Sequence, residues 1–157
     1  QAQSFDVLFA LLSLGPLSRA LALVSVKGLL VIAAVLALVK LTRGAVTSPI
    51  APTIGILGVL TILLAPASGT YAGVLLWLPV ALLISYFWSE GGRVQASLIL
   101  VLYALIGFIP YGHLNPFEGR GALSVLAFPR LFLLLAMFVV CIHAVLRLPR
   151  QPVAPLP

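Results

Sequence analysis

The run LLAPASGTYAGVLLWLPVALLISYFW, Leu63 to Trp88, decides the fold. One apolar stretch closes at Ala65, a hinge of proline and small residues follows, and a second apolar stretch opens at Tyr71 and ends on Tyr86, Phe87 and Trp88. Such a run predicts two membrane helices joined by a tight turn at one surface. Ser68, Thr70 and Tyr71 bring hydroxyls to that surface, beside an interior with almost nothing polar, so any site is expected on that side.

Composition widens this reading to the whole chain. Of 157 residues, 62% are hydrophobic and 8% charged, with a mean hydropathy of +1.25, whereas a soluble domain carries about 25% charged residues. The class is a polytopic membrane protein. A net charge of +6 would suggest nucleic acid in a soluble protein. Here the nine Lys and Arg residues mostly separate apolar runs, where they set orientation and meet lipid headgroups, so membrane lipid is the expected partner and nucleic acid is not. A single cysteine, Cys141, excludes an internal disulfide and reads as a small core or lipid-facing residue. The chain begins at Gln1 with no charged segment and cleavage site of a signal peptide, and it is expected to be a piece of a longer protein.

Toward the N-terminus, Ser4 is a candidate helix cap, followed by Phe5, Leu8, Phe9 and Leu12 at i, i+3, i+4, i+7. This predicts a short interfacial or partly buried helix, stopped by Gly15 and Pro16, with Asp6 as a charge favouring the helix dipole. Ala20 to Leu41 reads as the first span, with Arg19 on one side and Lys40 and Arg43 on the other. Lys27 falls inside it and either snorkels toward the Arg19 surface or faces a polar cavity. Snorkelling is favoured, because no carboxylate partner is evident in a neighbouring run.

Ala45 to Ala65 reads as the second span, with Pro49 and Pro52 in its first turns and Ala51, Gly55 and Gly58 giving small faces for close packing. Gly69 to Trp88 is the third. Pro79 deprives the carbonyl of Leu75 of its helical partner and predicts a kink, and Tyr86, Phe87 and Trp88 read as an interfacial belt. Val94 to Ile109 is the fourth span, and the fifth starts near Pro129 and runs to Leu146, with Leu123 to Phe128 as a short re-entrant or interfacial piece before it. The Pro-rich segment from Leu148 is expected to be disordered. The expected fold is therefore all-α, a membrane helical bundle of about five transmembrane helices plus a short N-terminal interfacial helix. It occupies residues 1–147, with a tail over 148–157.

Five spans place Lys40, Arg43, Arg93, Arg147 and Arg150 on one side and Arg19, Arg120 and Arg130 on the other. The larger group is expected in the cytoplasm. The outer face then gathers Ser68, Thr70, Tyr71, Tyr111, His113, Asn115, Glu118, Arg120 and Arg130. Arginines beside hydroxyls at a membrane surface can hold a lipid-linked phosphate and sugar, because guanidinium pairs bidentately with phosphate oxygens. Glu118 with Arg120 reads equally as a loop ion pair, and His113 as a solvated loop histidine. Two histidines and three carboxylates spread over the chain make no metal set, no cofactor is implied, and no Ser-His-Asp arrangement is arguable.

The stretch LLAPASGTYAGVLLWLPVALLI, Leu63 to Ile84, resembles the late membrane segment of glycosyltransferase family 87, polyprenol-linked mannosyltransferase-like enzymes of the GT-C type. In that family a helix ending in a Ser-Pro-x-Ser type turn and an aromatic residue leads into a Leu/Pro-rich helix. FPRLFLLLAMFVV, Phe128 to Val140, is similar to the family's last helices. Ala65 stands where the pattern often has serine. The resemblance implies an integral enzyme of the cytoplasmic membrane, in a bacterial inner membrane, that moves a sugar from a polyprenyl-phosphate donor to an acceptor on the outer side. It also implies an acidic catalytic base in an early external loop, upstream of Gln1, with further N-terminal helices of the same protein as partners. This chain would then supply part of the donor pocket through Ser68, Tyr71, His113, Arg120 and Arg130, and no catalytic residue. Two other classes stay open: a transporter or permease fragment with Lys27 and the Pro79 kink lining a path, and a non-catalytic membrane subunit.

Overall fold

The computed structural model describes residues 4–12, 15–43, 49–65, 72–108 and 128–147. Every element among them is helical: α1 (Phe5–Leu11), α2 (Pro16–Arg43), α3 (Ile50–Leu64), α4 (Ala72–Leu75), α5 (Trp77–Ser89), α6 (Arg93–Phe108) and α7 (Pro129–Arg147).

Helix starts follow from the residues placed there. Ser4 caps α1 from an extended backbone and accepts the N–H of Val7 at 3.4 Å, satisfying an amide with no partner inside the helix. Pro16 and Pro129 occupy the first positions of α2 and α7, and Pro49 precedes α3, all places where a missing N–H costs nothing. Pro79 acts as its chemistry demands. The helix breaks at Leu76 between α4 and α5, one residue past the carbonyl that Pro79 cannot serve, and resumes when Val80 donates to Leu76 at 2.9 Å. The expected third span is thus divided at Leu76 into two helices.

α5 ends in a Schellman turn. Gly91 takes a φ of +77°, its N–H donates to Trp88 at 3.4 Å, and the N–H of Gly92 donates to Phe87 at 2.7 Å. The chain reverses there into α6, and the ring of Trp77 meets that of Tyr103 with centroids 6.2 Å apart, so the two helices lie antiparallel. α3 is antiparallel to α5 as well. A Cβ on Gly58 would stand 2.5 Å from Cγ of Pro79, and one on Gly55 would overlap the side chain of Leu83. These two glycines let the backbones approach, as their spacing predicts. At the far end of the bundle Lys40, in the last turn of α2, donates to the carbonyl of Leu146 near the end of α7. The C-termini of α2, α5 and α7 and the N-termini of α3 and α6 therefore share one end.

The interior is apolar throughout, with Ile56, Val59, Leu83, Ile99, Met137 and Cys141 excluded from solvent. Cys141 is thereby a core residue. Ser4 is the only buried polar residue among those described. The exterior is apolar too: Leu21, Val24, Leu29 and Ile32 of α2, Ile54 of α3, Leu78 of α5, Leu100 of α6 and Val139 of α7 are all exposed. Exposed apolar surface of this extent marks a face for lipid or for other protein segments. Two helices, α2 and α7 over Pro129–Leu146, are long and apolar enough to cross a membrane, with mean hydropathies of 2.6 and 2.2. α2, with 28 residues, is about 42 Å long at about 1.5 Å per residue, while α3, α5 and α6 have 15, 13 and 16 and stay below about 25 Å.

One sequence expectation fails in this region. Tyr86 and Phe87 do not form a belt with Trp88, because both are buried and their rings pack edge to face at 5.3 Å, while Trp88 alone faces out. Three consecutive helical residues fan over about 200°, so one helix side cannot hold them all.

Candidate functional site

Of the five residues expected to hold a donor, Arg130 lies among the described residues. Ser68, Tyr71, His113 and Arg120 lie outside them, as do Thr70, Tyr111, Asn115 and Glu118. Arg130 is the second residue of α7 and half-buried. Its end of the bundle is opposite to the Lys40 end. The last residue of α3, the first of α4, the last of α6 and the first of α7 all fall at this Arg130 end, and these are the helix termini that flank 66–71 and 109–127. The fold thus delivers to one surface the chain ends between which the other expected site residues stand.

The same end carries the most developed polar contact in the described structure. Lys27 Nζ lies 2.7 Å from Asp6 Oδ2, and Arg19 Nη2 donates to the backbone carbonyl of Asp6 at 3.2 Å. α1 folds back over the start of α2, and two cations eight residues apart on α2 converge on a single aspartate. This corrects the reading of Lys27: it does reach toward the Arg19 surface, but to a carboxylate. Asp6 is more than a dipole charge, since it also answers a cation set about two-fifths of the way along the apolar α2. The signal in the sequence was scarcity. Three acidic residues serve the entire chain, and a lysine inside an apolar helix needs one of them.

Chemically, the Asp6–Lys27 pair is a closed contact. Each charge neutralises the other, with side chains about one-quarter exposed. Among the described residues no group of three His, Cys, Asp or Glu side chains comes together. Among the described residues a groove of about 510 Å³ lies between α5 and α6, walled largely by Trp77, Ile84, Trp88, Leu100 and Tyr103. It is apolar and opens sideways into the exposed apolar surface.

No protein-family model matches the chain, and comparison with curated proteins and with solved structures gave no match.

Proposed function

We propose that the chain is the C-terminal membrane portion of a polyprenyl-phosphate-sugar-dependent glycosyltransferase, a five-span bundle of the bacterial cytoplasmic membrane that acts at the outer side. In this reading α2, α3, the α4–α5 pair, α6 and α7 each cross, and the bilayer thins locally around the shorter ones. The observation that carries the reading is the convergence at the Arg130 end. Four helix termini bracketing 66–71 and 109–127 lie at that end, together with a half-buried arginine whose guanidinium is suited to a phosphate. Arg130 would bind the donor's phosphate, and Ser68, Tyr71, His113 and Arg120 would complete the pocket. The acid that deprotonates the acceptor hydroxyl would come from upstream of Gln1.

A transporter reading stays as the alternative, with the paired Asp6 and Lys27 as the charges it would use.

The test is sugar transfer by membranes containing the full-length gene product, supplied with a radiolabelled polyprenyl-phosphate mannose. Arg130→Ala should lower transfer about tenfold or more, chiefly through donor KM, as expected for one charge-assisted contact to phosphate. Wild-type membranes that bind and transfer no sugar from any polyprenyl-phosphate donor would refute the proposal.

A further inference from the structure

No further inference is drawn: the strongest candidate, the apolar groove between α5 and α6 walled by Trp77, Ile84, Trp88, Leu100 and Tyr103, is an unpartnered face of the bundle, and nothing in the structure shows what covers it.

Discussion

Lys27 Nζ lies 2.7 Å from Asp6 Oδ2, so the one cation set well inside α2 is neutralised by the one carboxylate of α1. The contact spans 21 residues of sequence and fixes the short helix against the long one. Asp6→Asn would leave the ammonium in apolar surroundings without its counter-charge. With both side chains about one-quarter exposed, the loss should be roughly 1–3 kcal/mol, less than the 3–5 typical of a fully buried pair. The double change Asp6→Leu with Lys27→Met should recover most of it. Unfolding in mixed detergent micelles gives the cycle directly, and additive losses would show that the pair is not coupled.

Gly55, Gly58 and Gly28 all lie within helices but have different surroundings. A methyl at Gly58 meets the ring of Pro79, whereas one at Gly28 meets nothing within 4 Å. Gly58→Ala should therefore destabilise by about 1–3 kcal/mol through overpacking. Gly28→Ala should be neutral or stabilise by up to about 1 kcal/mol, because it removes backbone freedom from the unfolded chain. Thermal denaturation of the purified variants would distinguish them, and an equal response at both positions would contradict the α3–α5 contact.

Gly91 sits at φ +77° in the turn that reverses the chain between α5 and α6. An L side chain there strains the backbone, so Gly91→Ala should cost about 1–2 kcal/mol. Gly91→Asn should cost less, since asparagine tolerates this conformation. Chemical denaturation followed by circular dichroism measures both. A costless alanine would mean that the turn adopts another geometry.

Accessibility tests the arrangement of ends. Cys141 is wholly buried and should stay silent to membrane-impermeant maleimides in intact cells. On that background a cysteine at Ser18, near the start of α2, should label from outside, and one at Glu90, in the α5–α6 turn, should label only after permeabilisation. Labelling of both from the same side would rule out the proposed crossings.

Local chemistry was legible in the sequence wherever one residue type settles a backbone question. Ser4 at a cap, Pro16 and Pro129 at helix starts and Pro79 beside a break were all readable, since each rests on a missing or satisfied hydrogen bond within four residues. Facing was harder. Tyr86 and Phe87 have the composition of an interfacial belt, but which side of α5 meets α3 and α6 depends on neighbours that the run itself does not encode. Asp6 and Lys27 escaped for the same reason, because their meeting depends on α1 turning back at Gly15 and Pro16. Of the candidate site, Arg130 alone lies among the described residues, at the start of α7, where Pro129 marked a helix start in the sequence.

The bond from Lys40 to the carbonyl of Leu146 joins the first long helix to the last. During synthesis, α2 leaves the ribosome more than eighty residues before the start of α7 exists, so this bond forms only after α3 to α6 have been made. The contact between α2 and α7 is therefore a late event in the assembly of these helices, and a chain that stops short of α7 leaves Lys40 without the carbonyl it reaches here.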